Sequence, residues 1–136
     1  MIDASFRLAP APDVIAIDLW EGDLPVLPGR MIQVEPRRWW LLDGGDPAAI
    51  EDRGAAAPIG GGLIRATLTG PDWRALLSVS GFLDTEMLRA GDVAATVIHH
   101  VPVRIVVTAD DACEVYFAAS YADTLDDLWR HAITGE

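Results

Sequence analysis

The sequence predicts an α+β protein in which an antiparallel sheet packs against helices on one of its faces. Three β-rich runs over 93–100, 103–108 and 113–119 are joined by links so short that neighbouring strands are expected to run antiparallel. An amphipathic helix is predicted over 121–133. Helical segments also separate the earlier strand-like runs, which favours a mixed class over an all-β one.

The first part of the chain alternates strand-like runs with turn regions. Residues 1–13 contain two prolines and no periodicity, which predicts a loose arm. A β-rich run over 14–20 predicts the first strand. Residues 31–35 and 38–42 predict a hairpin or a bent strand, because the proline between them cannot donate to a ladder.

The middle of the chain is rich in glycine and proline. Asp46-Pro47 is a good helix start and predicts a short helix over 48–53. Three glycines over 60–62 precede a predicted strand over 63–69. Because a strand rather than a helix follows, and no Lys-Ser/Thr pair is present, these glycines indicate a mobile connection and not a phosphate-binding loop.

Two further helical segments complete the predicted elements. Apolar residues at helical spacing predict a helix that begins after Pro71 and ends at Gly81, with one more turn over 84–89. In the final helix, Ser120 is the predicted N-cap. The apolar stripe of that helix consists of Ala122, Leu125, Leu128, Trp129, Ala132 and Ile133.

Composition excludes several classes of function. The chain has 136 residues, 21 of them acidic and 10 basic, for a formal net charge of −11. This charge repels phosphate backbones, so no nucleic-acid partner is expected. The absence of lysine excludes lysine-linked pyridoxal chemistry. No apolar run approaches the ~18 residues of a membrane span, and none resembles a signal peptide, which predicts the cytoplasm.

One domain is expected at this length. We divide the chain into an N-terminal arm and first strand over 1–29 and a single α+β domain over 30–136. The one cysteine, Cys113, lies in a strand-like run and is predicted to be a buried, inert thiol. His99 and His100 are neighbours on a predicted strand, so their side chains are expected on opposite faces and no metal site is predicted.

The cluster Arg37-Arg38-Trp39-Trp40 is the predicted partner-binding site. On a strand, Arg38 and Trp40 face one way and Arg37 and Trp39 the other, so one tryptophan is expected in the core and the other near the surface. Exposed tryptophan and arginine are favoured at interface hot spots, and a basic-aromatic patch suits an acidic partner. The alternative interpretation is structural, with a guanidinium stacked on an indole.

Several segments resemble the gamma subunit of heterotetrameric sarcosine oxidase, a family related to the folate-binding module of glycine-cleavage T proteins. The likeness covers about residues 30–134. The segments that carry it are Glu35-Pro36 with Trp39-Trp40-Leu41-Leu42, Thr67-Leu68-Thr69-Gly70-Pro71 with Trp73-Arg74-Ala75-Leu76-Leu77, Asp84 with Gly91-Asp92-Val93-Ala94-Ala95-Thr96, and Ser120-Tyr121-Ala122 with Leu128-Trp129. Two positions depart from the family pattern: Arg37-Arg38 replaces an acidic pair, and Ala119 replaces a frequent arginine.

The resemblance implies half of the folate-binding module, with ferredoxin-like β-α-β elements: two strands, a helix, three strands and a helix. It implies a non-catalytic accessory subunit in one-carbon metabolism whose partners are larger flavoprotein subunits. FAD/FMN, NAD and tetrahydrofolate would then be bound by those partners, and no cofactor or metal by this chain.

Alternatives to the subunit hypothesis remain at this point. Asp84 is a weak candidate for a catalytic carboxylate, although a loop or capping role is favoured. A stand-alone folate or pteridine-binding module, or a one-carbon transfer enzyme, would need a pocket, and Trp39, Trp40 and Asp84 are the first places to look for it. A homo-oligomeric regulatory protein would use the apolar patch for self-association.

Overall fold

The structure of the protein is a computed structural model that describes residues 1–25, 27, 29–44, 46, 50 and 52–135. Its strands are β1 (Ser5–Pro10), β2 (Ile15–Leu19), β3 (Met31–Glu35), β4 (Arg38–Leu41), β5 (Gly54–Pro58), β6 (Leu63–Thr69), β7 (Val93–Ile98), β8 (Val101–Ala109) and β9 (Ala112–Ala118). Its α-helices are α1 (Trp73–Ser78) and α2 (Ala122–Thr134), and 3₁₀ turns lie at Gly60–Gly62, Thr85–Met87 and Ala119–Tyr121. The predicted α+β class is confirmed.

The chain forms two compact units. The larger combines Met1–Pro10 with Leu63–Glu136, and the smaller is Ala11–Gly62. This division differs from the boundary predicted at residues 29–30. The smaller unit is inserted between β1 and β6, two strands that are neighbours in the sheet of the larger unit.

The larger unit is a five-stranded antiparallel sheet in the order β1-β6-β9-β8-β7. Both α-helices belong to this unit, and their apolar side chains form one core with alternate residues of the strands, as the two-residue period of a strand requires. The fully buried members of this core are Ala66, Leu68, Trp73, Leu76, Ile105, Cys113, Val115, Leu125 and Trp129. The element order of this unit, two strands, a helix, three strands and a helix, is the order that the resemblance implies.

The prediction of a loose arm over 1–13 is wrong for residues 5–10. These residues form β1, which pairs with β6 from Ser5 opposite Thr69 to Pro10 opposite Ile64. Proline is tolerated in β1 because an edge strand needs ladder hydrogen bonds on one side only. The pairing spans the whole inserted unit in sequence, so no local pattern could predict it.

The smaller unit is a four-stranded antiparallel sheet in the order β3-β4-β2-β5. The hairpin predicted over 31–42 is confirmed as β3 and β4, with Pro36 and Arg37 in the turn. β5 was not predicted, because Gly-Ala-Ala-Ala-Pro lacks the β-branched and aromatic residues typical of strands. The core of this unit contains Ile17, Leu19, Leu27, Leu41 and Ile50.

Three other local predictions have different outcomes. The helix predicted over 48–53 falls largely on residues outside the described part of the chain. The predicted mobile connection over 60–62 is a 3₁₀ turn in which the Gly60 N–H donates to the Val14 carbonyl over 3.2 Å. The final helix is confirmed, but Ser120 is not its cap, because a 3₁₀ turn over 119–121 precedes the helix and places Tyr121 at the capping position.

Candidate interaction surfaces

Arg37 lies in the turn between β3 and β4, whereas the sequence analysis predicted that it lies on a strand. Its backbone has φ = 66°, in the left-handed region. Its Nε donates to the Leu19 carbonyl over 3.2 Å and its Nη2 to the Gly22 carbonyl over 2.8 Å. The Arg37 guanidinium therefore ties the hairpin turn to the loop that follows β2.

Arg38 is engaged by two carboxylates of its own unit. Its Nε lies 2.6 Å from Asp18 Oδ1 and its Nη1 lies 3.1 Å from Glu35 Oε2. The hydrogen bond to Asp18, and then the negative charges of Asp18 and Glu35, raise the pKa of the Arg38 guanidinium. With Arg37 included, two guanidinium groups face two carboxylates, so the formal charges of this patch cancel and it is not the net basic patch that the sequence predicted.

The two tryptophans of β4 face opposite sides of the sheet, as strand alternation predicted. Trp39 lies opposite Ile17 of β2 and packs against the core of the smaller unit. Trp40 lies opposite Ala16 and Ile32, on the other face. Both side chains are half-buried, so neither is a fully exposed anchor.

Asp84 caps a 3₁₀ turn. Its Oδ1 accepts a hydrogen bond from the Glu86 backbone N–H over 3.1 Å at the start of Thr85–Met87. The Asp84 side chain is exposed to solvent. This geometry is that of a capping residue, which is the interpretation that the sequence favoured.

The loop between α1 and β7 is held by hydrogen bonds. Thr85 Oγ1 donates to the Arg74 carbonyl over 3.0 Å, and Arg74 Nη2 donates to the Leu88 carbonyl over 2.8 Å. Arg74 also lies over the ring of Trp73, 4.5 Å from its centroid. This stack is distinct from the one suggested for the Arg37-Arg38-Trp39-Trp40 cluster, and here the guanidinium also holds the following loop.

This same loop exposes two large apolar side chains, Phe82 at 87% and Met87 at 71%. Sequence analysis missed both: Phe82 falls in no predicted element, and Met87 falls in the turn predicted over 84–89 without a face assigned to it. The signal that could have found them is that each directly precedes a leucine, and only the leucines, Leu83 and Leu88, pack with the core. We name the loop that exposes Phe82 and Met87 the apolar loop.

A cluster of polar side chains on β6 and β9 was also missed. Tyr116 is 1% exposed, and its hydroxyl accepts from Arg65 Nε over 2.8 Å and donates to Glu114 Oε1 over 3.0 Å. Burial raises the pKa of Tyr116. The three residues are adjacent across the two strands, and each forms hydrogen bonds or an ion pair with the others. We therefore assign the cluster a role in holding the sheet together.

His99 and His100 form a turn, contrary to the prediction that they lie on a strand. Their φ angles are 48° and 69°, and they connect β7 to β8 as the two central residues of a hairpin. Their ring centroids lie 5.8 Å apart, and because both residues are in a turn the strand-alternation argument against a shared site does not apply. Among the described residues, no group of three or more His, Cys, Asp or Glu side chains is placed to hold a metal ion.

Cys113 is fully buried on β9, as predicted. Burial, and then the nearby charge of Glu114, raises the pKa of its thiol to about 12. The nucleophilic form of cysteine is the thiolate, so Cys113 is inert in the folded protein.

Cys113 should therefore react with a thiol-specific disulfide reagent only when the protein unfolds. Because the folded pKa lies above the ordinary value of 9.0, the neutral thiol favours folding below pH 9.0, and this contribution is lost as pH rises toward 12. The measurement is the rate of thiol labelling at neutral pH with and without denaturant. Rapid labelling of the native protein would contradict this account.

In the described residues, no helix is long and apolar enough to cross a membrane. The protein is thus a small α+β chain in which most arginines form hydrogen bonds or ion pairs with residues of the same chain. It exposes apolar side chains on a loop that hydrogen bonds hold in place. Comparison of the sequence with family models and with curated proteins gives no match.

The fold itself is similar to that of a solved protein. A chain of heterotetrameric sarcosine oxidase from Corynebacterium sp. U-96, in complex with pyrrole 2-carboxylate, superimposes with a TM-score of 0.77 at 12% sequence identity. The match covers 97% of this chain and 84% of that one. At this identity the likeness establishes a shared fold, in agreement with the fold expected from the sequence motifs.

Proposed function

We propose that this chain is a non-catalytic, gamma-like accessory subunit of a heteromeric flavoenzyme of the sarcosine oxidase type, acting in the cytoplasm in one-carbon metabolism. The apolar loop is the observation that carries the proposal, and the shared fold with a chain of a heterotetrameric enzyme supports it. In such an assembly the flavin, the nicotinamide cofactor and the folate lie on larger subunits. This chain contributes surface and stability.

The chemistry of the apolar loop suits a protein interface. A phenylalanine that is 87% exposed keeps nearly all of its apolar surface in water, and covering that surface is favourable. The hydrogen bonds from Thr85 and Arg74 already fix the surrounding backbone. A fixed backbone loses little conformational entropy on docking, so more of the burial energy remains as affinity.

The segment Arg37-Arg38-Trp39-Trp40 is a second proposed contact in this assembly. Asp18 and Glu35 hold Arg38 at the surface, and Trp40 lies on the same face of β4 as Arg38. A half-exposed indole beside a fixed ion pair provides an apolar contact with a polar rim, which is the usual anatomy of an interface. Because the charges of Arg37 and Arg38 balance those of Asp18 and Glu35, this contact would depend on the indole and on hydrogen bonds more than on net charge.

Phe82→Ala should weaken assembly with the larger subunits strongly. Truncation of a central aromatic contact costs about 2 kcal/mol or more, which is about 30-fold in affinity. The measurement is the recovery of larger subunits with the tagged variant from the native cells, relative to the unmodified chain. Met87→Ala should act in the same direction.

Tyr121→Ala is the matched control, because Tyr121 is an exposed aromatic residue of the larger unit that belongs to neither proposed contact. We expect its recovery of partners to equal that of the unmodified chain. If Phe82→Ala and Tyr121→Ala recover partners equally well, the apolar loop is not the docking surface.

A further inference from the structure

Arg7 is unusual among the ten arginines of the chain. Each of the other nine has a hydrogen bond, an ion pair or another electrostatic or ring contact with its own chain. Arg7 is exposed, and no such partner exists for it among the residues that the structure describes. In a chain of net charge −11, a guanidinium without an acidic partner is conspicuous.

Arg7 lies on β1, an edge strand of the larger unit. β1 is the first strand in the sheet order, and among the described residues it pairs with β6 alone. Alternate backbone N–H and C=O groups of an edge strand point away from the sheet and can pair with another strand. Pro10 has no N–H to donate, so the five residues before it offer about 16 Å of edge at about 3.3 Å per residue.

Depressions accompany this edge of the sheet. On the helix side, a groove of about 440 Å³ lies between β1 and α2. Its lining contains the apolar side chains of Phe6, Leu8 and Ile133, and also Arg7 and the Asp126–Arg130 ion pair, 2.6 Å long. A smaller depression of about 220 Å³ includes Arg7, Phe6 and Thr67. Arg7 therefore lines both depressions, and the groove beside α2 offers apolar side chains together with charged ones.

We propose that β1 accepts an extended strand from a larger subunit, which adds to the sheet as a sixth strand. Side chains of the added strand alternate: apolar ones enter the groove between β1 and α2, and an acidic one lies beside Arg7. Opposite charges on neighbouring strands stabilise such pairing. This inference rests on the proposed function and specifies the chemistry of the partner segment.

A second copy of this chain fits the edge less well. β1 reads Ser-Phe-Arg-Leu-Ala-Pro and has no acidic residue, so pairing of two β1 strands brings a second arginine and no carboxylate. Like charges on paired strands are destabilising. The partner strand is thus expected to be acidic and to come from a different chain.

Photo-crosslinking identifies the occupant directly. A photo-reactive side chain is placed at Ser5 of the tagged full-length chain, which is exposed on the same face of β1 as Arg7 and leaves Arg7 in place, and at Ala95 of β7, the opposite edge of the same sheet, as the control. We expect position 5 to crosslink to a segment of a larger subunit in which acidic and apolar residues alternate, and position 95 not to reach that segment. Crosslinking of position 5 to another copy of this chain, or to a segment without that pattern, overturns the proposal.

Charge reversal gives an independent test. Arg7→Glu should reduce recovery of the larger subunits about ten-fold, Arg7→Lys should retain most of it, and Ala95→Glu should leave it unchanged. Far-UV circular dichroism checks that Arg7→Glu still folds, and hydrogen exchange in the unmodified complex should show protection of the β1 amides. Equal recovery with Arg7→Glu and unprotected β1 amides would overturn the added strand while the accessory role stands. Absence of any larger subunit with the unmodified chain would overturn both.

Discussion

Trp129→Ala is expected to lower the free energy of unfolding by about 3–5 kcal/mol, the usual cost of deleting a large aromatic side chain from a core. Trp129 is fully buried on α2 and packs edge-on against Phe6 and Phe117, with ring centroids 5.7 and 6.3 Å away. It joins the helix to β1 at one edge of the sheet and to β9 near its centre. Its loss should loosen both contacts, and urea titration followed by circular dichroism measures the effect.

Trp129→Phe is the matched control for this loss. The indole Nε1 of Trp129 is buried, and no hydrogen-bond partner for it is present among the described residues. Phenylalanine keeps most of the ring contacts and removes a donor whose burial is unfavourable. We therefore expect a clearly smaller loss of stability than with Trp129→Ala. Equal losses of stability in Trp129→Ala and Trp129→Phe would show that Trp129 does not stabilise the protein through the packing of its ring.

Gly60→Ala is expected to destabilise the protein by about 1–3 kcal/mol, the range typical of overpacking. A Cβ at position 60 would overlap the Ala11 carbonyl oxygen and lie 2.5 Å from the carbonyl group of Pro12. Both obstacles are backbone atoms, which cannot move without shifting the start of the smaller unit. The midpoint of thermal or urea unfolding measures the effect.

Gly61→Ala is the control within the same 3₁₀ turn. A Cβ at position 61 meets nothing within 4 Å. Alanine restricts the unfolded chain more than glycine, so this variant should be neutral or more stable by up to about 1 kcal/mol. If Gly60→Ala were as stable as Gly61→Ala, residues 60–62 would be the mobile connection that the sequence predicted, and not a packed turn.

The elements that could be predicted from the sequence are those with strong local periodicity. The apolar stripe of α2 has a helical period, and β6 is a seven-residue run containing three β-branched residues between Gly62 and Gly70, so both were placed nearly to the residue. The hairpin of β3 and β4 followed from a proline between two strand-like runs. In each case the information lies within a few residues of the element itself.

The failures have physical causes of two kinds. β1 is stabilised by β6 across the inserted unit, a long-range pairing that leaves no local trace. The turn at His99 and His100 has two positive φ angles that glycine and asparagine usually adopt, so its residue types gave no turn signal. In both cases tertiary context overrides local preference.

The candidate surface was harder to predict than the fold. The sequence placed a basic patch at Arg38, but Asp18, distant in sequence, lies 2.6 Å from its guanidinium. Phe82 and Met87 were missed because exposure of an apolar residue depends on what packs above it, which composition does not reveal. Arg7 is distinguished only because it has no partner among the residues that the structure describes. This property depends on the fold and cannot be read from the sequence.

The central claim is that this chain serves a larger flavoenzyme as an accessory subunit. The most direct test is purification of the tagged full-length chain from its native cells, with mass spectrometry and flavin absorbance of the eluted material. The account predicts larger subunits in stoichiometric amounts, carrying flavin that stays with them when this chain is removed. Elution of the chain alone, or as a homo-oligomer without flavoprotein partners, would contradict it.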